Sequence, residues 1–236
     1  MTADAVAIQV TGLSYSYPDG SKALQEVSFQ VKRGERVGFV GANGAGKSTL
    51  LLHLNGILQG KGVTIVGMAV TKANLKSVRQ KVGLVFQNPD DQLFCPTVFE
   101  DIAFGLRNLR IPEDEVGRRV RESLRTVGLE GFEKRSAFHL SVGQKKRIAL
   151  ATVLAMQCDI LVLDEPTSNL DPRGRREIAA LLEQLGGTQV IATHDLALVR
   201  KLCSRVIVLR EGGIVADGEP RTILNDEAFL RAHDLS

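Results

Sequence analysis

Gly41-Ala42-Asn43-Gly44-Ala45-Gly46-Lys47-Ser48-Thr49 is the stretch whose reading decides the fold. The apolar run Val37–Val40 precedes it, and the helical pattern Leu50-Leu51-Leu52-His53-Leu54 follows. The order is strand, glycine-rich loop, helix. Every required position of the phosphate-binding pattern G-x-x-x-x-G-K-[ST] is filled. Glycines let the backbone turn tightly, so that its N–H groups face phosphate oxygens. A helix starting near Lys47 adds its positive dipole end at the same place. Lys47 is then set to reach β- and γ-phosphates, and the Ser48 hydroxyl to meet Mg²⁺. The stretch points to a bound nucleoside triphosphate.

The rest of the chain sets limits on that reading. A length of 236 residues suits one large domain or two small ones, and 44% hydrophobic residues can build a core. Net charge is only +3, which argues against a dedicated nucleic-acid surface. The basic clusters Arg118-Arg119-Arg121, Lys145-Lys146-Arg147 and Arg173-Arg175-Arg176 are short and suggest solvated helix faces. No apolar run approaches the roughly 18 residues of a membrane span. Met1-Thr2-Ala3-Asp4-Ala5 lacks the basic, then apolar, character of a signal peptide, which places the protein in the cytosol. Cys95, Cys158 and Cys203 are too scattered for a disulfide framework or a zinc site, and the four histidines show no ligand spacing.

Along the chain, residues 6–11 and 27–31 alternate as strands, with a turn at Pro18-Asp19-Gly20 between them. Tyr15 and Tyr17 lie just before that turn; either they pack at a strand end or one of them stacks on a nucleobase. Residues 63–66 and 82–86 are further strands, the second ending at Gln87. From Val98 to Leu154 the pattern is mostly helical, with Val116, Val120, Leu124 and Val127 on one face. A helical subdomain over 88–154 therefore interrupts an α/β core of 1–87 and 155–236. Ser141 is a good N-cap for the helix carrying Lys146-Arg147-Ile148, which makes a second anion-suited helix start.

Ile160-Leu161-Val162-Leu163-Asp164-Glu165 is an apolar strand buried on both faces, ending in two carboxylates. Strand alternation sends Asp164 and Glu165 to opposite sides. Asp164 is then suited to Mg²⁺ and Glu165 to polarising an attacking water. Ser168-Asn169-Leu170-Asp171-Pro172 is a turn, followed by a helix from Arg175 to Leu185. A strand over 189–193 delivers His194 to the same sheet edge, where it can align the water at the γ-phosphate. A hairpin over 206–216 turns at Gly212-Gly213, and a last helix covers Arg221 to His233.

As an ordered set these motifs resemble the nucleotide-binding subunit of an ABC transporter, over nearly the whole chain. The resemblance implies a single ABC-type α/β domain: a RecA-like P-loop core with an N-terminal antiparallel β subdomain and the helical insertion. It implies that Tyr17 stacks on adenine, that Gly41, Asn43, Gly44, Ala45, Gly46, Lys47, Ser48 and Thr49 hold the phosphates, and that Gln87 is the glutamine-loop residue touching the metal. Leu140–Gln144 looks like the signature, with Ser141, Gly143 and Gln144 offered to nucleotide. Glu165 and His194 look like the catalytic base and the switch histidine, and Ser168–Asp171 like the D-loop. Val142 departs from the usual signature glycine and threatens to crowd that loop, and Asn169 departs from the usual Ala or Gly.

The cofactors implied are ATP and Mg²⁺. Two chains would pair head to tail around two ATP molecules, as a homodimer, and work with a transmembrane coupling subunit and a metal-binding membrane subunit. The chain would lie on the cytoplasmic face of the inner membrane and would bind no nucleic acid. Phe86–Phe94 followed by Thr97–Gly105 looks like energy-coupling factor importers, and within them the cobalt/nickel branch. The alternatives are a vitamin importer of the same type, a soluble ABC protein of DNA or ribosomes, and a P-loop kinase or GTPase. The soluble ABC proteins would need a long coiled coil or a second nucleotide domain, and the kinase would not need Leu140–Gln144. The extended C-terminal regulatory domain of some relatives is not expected here.

Overall fold

The computed structural model describes residues 5–235, so most of the stretch used to judge a leader, Met1–Asp4, lies outside the described residues. The chain runs β1 (Val6–Ser16), β2 (Lys22–Lys32), β3 (Arg36–Val40), α1 (Lys47–Leu54), β4 (Val63–Ile65), β5 (Met68–Ala69), α2 (Leu75–Lys81) and β6 (Val82–Val85). It continues through α3 (Val98–Asn108), α4 (Glu113–Thr126), α5 (Val142–Ala155), β7 (Ile160–Asp164), α6 (Pro172–Gln184), β8 (Thr188–Ala192) and α7 (Leu196–Leu202). It closes with β9 (Arg205–Arg210), β10 (Gly213–Gly218), α8 (Pro220–Ile223) and α9 (Glu227–Ala232).

Two sheets result, ordered β2-β1-β4-β5 and β10-β9-β3-β8-β7-β6. The first is antiparallel, and its long strands alternate buried and exposed residues, as one-sided packing requires. In the second, β9, β3, β8, β7 and β6 are parallel, and β10 is an antiparallel edge. Every residue of β6, β7 and β8 is buried, which is why β6 and most of β7 are apolar runs, while β8 buries Thr188 and Gln189 ahead of Val190-Ile191-Ala192. Phe29 of β2 and Phe39 of β3 meet edge to face at 5.0 Å, joining the two sheets. The parallel neighbours β6 and β7 are connected through α3, α4 and α5, whose shared core includes Ile102, Leu106, Val116, Val120, Leu124 and Ile148, all at 0% exposure.

The structure corrects several boundaries. β1 runs on to Ser16 through register shifts after Val10, beside Gly12 at φ +59°, so the alternation that marks its first half is lost in its second. The tail helix expected from Arg221 to His233 is two short helices, because Asp226 caps a new start by accepting from Phe229 N. α2 has no sequence counterpart above: with Val78 its one buried residue, it carries no apolar stripe to find.

His53 of α1 is 1% exposed, and its Nδ1 donates to the Thr49 carbonyl at 2.8 Å. That fixes the proton on Nδ1 and leaves Nε2 buried without a partner. Burial pushes its pKa below the ordinary value, against the raising effect of the Thr49 bond. Below about pH 6.5 the unfolded chain takes up a proton that the folded chain refuses, so this contribution to stability falls with falling pH. His53→Leu should therefore narrow its melting-temperature gap to the wild type between about pH 7 and pH 5. A gap unchanged across that range, by calorimetry, would refute the assignment.

Candidate functional site

The parallel strands deliver four segments to one edge of the larger sheet. Residues 41–46 follow β3, Gln87 follows β6, Glu165 follows β7, and His194 follows β8. Ligands of open α/β sheets bind at this carboxyl edge. A cleft of about 620 Å³ opens there, with Tyr17, Lys47, Ser48, Gln87, Glu165 and His194 on its walls.

The loop needs its glycines for different reasons. A Cβ on Gly41 would lie 2.4 Å from the Leu209 carbonyl oxygen, and one on Gly46 would lie 2.4 Å from that of Ala23. Gly44 sits at φ +82° with open space where its side chain would be, so it is backbone conformation that demands glycine there. Lys47 is buried, and its Nζ donates to the carbonyls of Gly41 (2.7 Å) and Ala42 (3.1 Å). Burial lowers its pKa, while Glu165 and Asp164 work against that shift. The Tyr17 hydroxyl shares a 2.9 Å hydrogen bond with Thr49 Oγ1, and its ring meets Tyr15 edge to face. Tyr17 thus both packs at the strand end and lines the cleft, leaving a 36%-exposed residue available to a flat ligand.

Asp164 ends β7 and is buried. Burial raises its carboxyl pKa, a hydrogen bond from Ser48 lowers it, and Glu165 raises it again. Its Oδ1 is buried with no partner. An unpaired carboxylate oxygen beside a serine hydroxyl is a hard-oxygen donor pair, so these residues fit a Mg²⁺ ion. Among the described residues no group of three or more His, Cys, Asp or Glu could hold a metal, so the ion's remaining ligands would be phosphate oxygens, water and Gln87.

Glu165 differs from the strand-alternation picture. β7 stops at Asp164, and Glu165 turns into the left-handed region at φ +45°, its N–H donating to the Ala192 carbonyl at 2.8 Å. The two carboxylates still occupy different surroundings, but a strained turn separates them rather than the pleat. Glu165 Oε1 accepts from His194 N (3.0 Å), and Oε2 accepts from Thr193 Oγ1 (3.0 Å) and lies 2.9 Å from His194 Nδ1. The carboxylate is therefore held in place while the His194 side chain stays 61% exposed toward the cleft.

Ser141, Gly143 and Gln144 stand apart from this cleft at the start of α5. Ser141 accepts from Gln144 N, and the Gln144 side chain accepts from Ser141 N, a reciprocal capping box. Val142 faces solvent at 46% exposure. Asn169 adopts φ +59°, a conformation asparagine tolerates better than alanine.

Two site residues were missed. Arg175 lines the cleft, and its Nε donates to the Leu170 carbonyl. Lys146 is 4% exposed rather than on a solvated face, and burial pushes its ammonium down to about 8 against Glu165 and Asp164. Its position three, four and seven residues before the buried Ala149, Leu150 and Val153 was the signal.

A phosphate loop, a strand ending in Asp164 with Glu165 on the turn beyond it, and a capped signature helix define a P-loop ATPase of the ATP-binding-cassette class. The sequence matches the family model described as "ABC transporter" over residues 24–168, and the chain belongs to that family, whose members are ATP-hydrolysing transport ATPases. A putative ABC transporter ATP-binding protein of Streptomyces avermitilis is 52% identical, over 98% of this chain and 89% of that protein. The energy-coupling factor transporter ATP-binding protein EcfA of Methanothermobacter thermautotrophicus is also 52% identical, over 97% of this chain and 76% of its own. The structure of cbiO1 from Clostridium perfringens, described as part of the ABC transporter complex cbiONQ, superposes with TM-score 0.84 at 38% identity, covering 98% and 96%. A dimeric post-hydrolysis structure of MJ0796, bound to ADP and Pi, superposes with TM-score 0.81 at 29% identity, covering 91% and 99%.

Glu165→Gln should keep ATP binding, slow turnover by about 100-fold or more and accumulate an ATP-bound dimer. Near-normal turnover would remove Glu165 as the base. Tyr17→Ala should weaken ATP by about 1–3 kcal/mol while sparing inorganic triphosphate. Equal losses for both ligands would exclude base stacking.

Proposed function

We propose that this chain is the ATPase subunit of an energy-coupling-factor-type importer that moves a transition-metal ion, cobalt or nickel. ATP lies with its base on Tyr17 and its phosphates on residues 41–49, where Lys47 exchanges carbonyl partners for β- and γ-oxygens. Ser48, Asp164 and Gln87 would hold Mg²⁺, which when bound would supply charge neutralisation for the phosphates. Glu165 orients water and takes its proton, and His194, hydrogen-bonded to that carboxylate, contacts the γ-phosphate. Ser141, Gly143 and Gln144 serve the ATP of a second copy packed head to tail, which accounts for their distance from their own chain's cleft. Hydrolysis then places ADP and phosphate in the shared interface and favours opening.

The observation that carries the membrane half is a second, more apolar cleft of about 780 Å³ between α2–β6 and α3–α5. Phe94 (58% exposed) and Phe104 (49%) meet edge to face on it at 5.1 Å, beside Leu75, Leu109 and Met156. Large exposed aromatics grouped around a groove fit an apolar helix of a partner. The stretch forming this wall, Phe86–Gly105, is the one that looks like the cobalt/nickel branch, and the likeness to cbiO1 supports the same branch. No helix of the described residues is long and apolar enough to cross a membrane. The chain would therefore act peripherally, on the cytoplasmic face, with the transported ion bound by a membrane subunit.

Affinity capture from detergent-solubilised membranes of the source should recover polytopic subunits with this chain as the one ATPase. Phe94→Asp with Phe104→Asp should lose those subunits while MgATP is still bound. A vitamin-binding membrane protein with a second ATPase would move the assignment to a vitamin importer. Capture of only soluble proteins would overturn the transport reading.

A further inference from the structure

Lys146 occupies the second turn of α5, about 8 Å along the axis from the Ser141 cap. Its Nζ donates to the Glu165 carbonyl (2.9 Å), the Gln87 carbonyl (3.0 Å) and Ser168 Oγ (3.2 Å). An ammonium has three N–H donors, and each has found an acceptor. The acceptors come from two segments: Gln87 from the loop after β6, and Glu165 and Ser168 from the turn between β7 and α6. Ser168 Oγ also donates to the Glu165 carbonyl at 2.9 Å, so two groups grip the same oxygen.

That oxygen belongs to a residue held in a left-handed conformation. Such a turn persists only where its surroundings over-determine it. The Glu165 peptide is held through its N–H by β8 and through its carbonyl by Lys146 and Ser168. That clamp sets the backbone from which the carboxylate, itself held by Thr193 and His194, projects.

A second set of contacts makes residues 86–92 and α5 one body. Lys145 Nζ pairs with Asp90 at 2.7 Å. Gln92 Nε2 donates to Ala149 O (2.8 Å) and Thr152 Oγ1 (2.7 Å), and its Oε1 accepts from Phe86 N. Among the hydrogen bonds of the described residues, those of Lys146 are the ones that carry α5 to the Glu165 turn.

We propose that Lys146 is a positioning residue that couples the capped start of α5 to the Glu165 turn. It holds the Glu165 turn and the Gln87 backbone against the helix capped by Ser141. Contact of Ser141 and Gly143 with the nucleotide of a facing copy is thereby passed to the carboxylate acting on the chain's own ATP. The physical warrant is a rigid helix with a ligand-facing cap at one end and a three-way hydrogen-bonded cation one turn further on. This inference rests on the head-to-tail pairing proposed above.

The test is steady-state ATP hydrolysis and equilibrium MgATP binding by the purified full chain, wild type and Lys146→Met. The variant should lower kcat by about tenfold or more, leave the MgATP Kd within about threefold, and bring the Hill coefficient from above one down to one. A kcat and Hill coefficient equal to those of the wild type would overturn the proposal. So would a parallel fall of kcat, MgATP affinity and melting temperature, which is the signature of a structural role alone. Ser168→Ala removes one acceptor without stranding a buried cation. It should lower kcat roughly two- to tenfold at constant Kd, and it decides the matter should Lys146→Met not fold, an unchanged kcat again overturning the proposal. A wild type that neither dimerises with ATP nor shows cooperativity would defeat the pairing itself, a failure distinct from that of Lys146.

Discussion

The in-register pairing of β3, β8 and β7 is the constraint on which the rest depends. Phe39 lies opposite Ala192, and Ala192 lies opposite Asp164. Two further backbone bonds extend the register past the strand ends, Thr193 N to Phe39 O and Glu165 N to Ala192 O. The phosphate loop, His194 and Glu165 therefore leave the sheet at one level. A slip of one residue in a parallel strand would turn each of these segments to the opposite face. The buried valines, leucines and isoleucines of β3, β7 and β8 make that register specific, so the packing core and the placement of the site are one property.

What was legible from sequence follows from the same constraint. Residues 41–49, Gln87, Asp164, Glu165 and His194 each follow a short apolar run, and the runs are conspicuous because they are buried on both faces. The face Val116–Val120–Leu124 was legible because helix periodicity is faithful where one side packs and the other is solvated. The second half of β1 was not, since its bulges break the two-residue period. Lys146 was harder to see: a lysine between Lys145 and Arg147 looks like part of a charged surface, and its helical spacing to Ala149, Leu150 and Val153 is the one local sign that it faces inward, toward the three oxygens it meets. Burial of a cation is a tertiary fact that local composition cannot carry.

The two carboxylates show how one dipeptide acquires two chemistries. Asp164 stays on the strand, is desolvated, and keeps an oxygen with no hydrogen-bond donor. A divalent ion beside such a group would stabilise its charged form. Glu165, one residue on, receives donors from Thr193 and from the His194 main chain, so both of its carboxylate oxygens already have partners. The left-handed backbone at Glu165 makes this difference possible, because a continued strand would carry its side chain away from His194.

The same residues explain why so much charge can be buried here. Lys47, Lys146, Asp164 and Glu165 are all under 10% exposed. Each lysine feels both carboxylates, and Asp164 feels both lysines, so the group is balanced in charge. Buried ions persist when they are paired and their hydrogen bonds are satisfied, and removing one partner of such a set costs about 3–5 kcal/mol. Nucleotide must then enter a site that is already neutral. A triphosphate brings more negative charge than one Mg²⁺ cancels, and Lys47 alone cannot supply the difference. The N–H groups of the loop, the start of α1, and Lys22 and Arg175 on the cleft wall provide positive potential from outside the quartet. A capped helix start from a second chain would supply more. The charge count of the cleft thus leaves room for a further positive helix end, which is what the proposed pairing with the Ser141-capped start of α5 would bring.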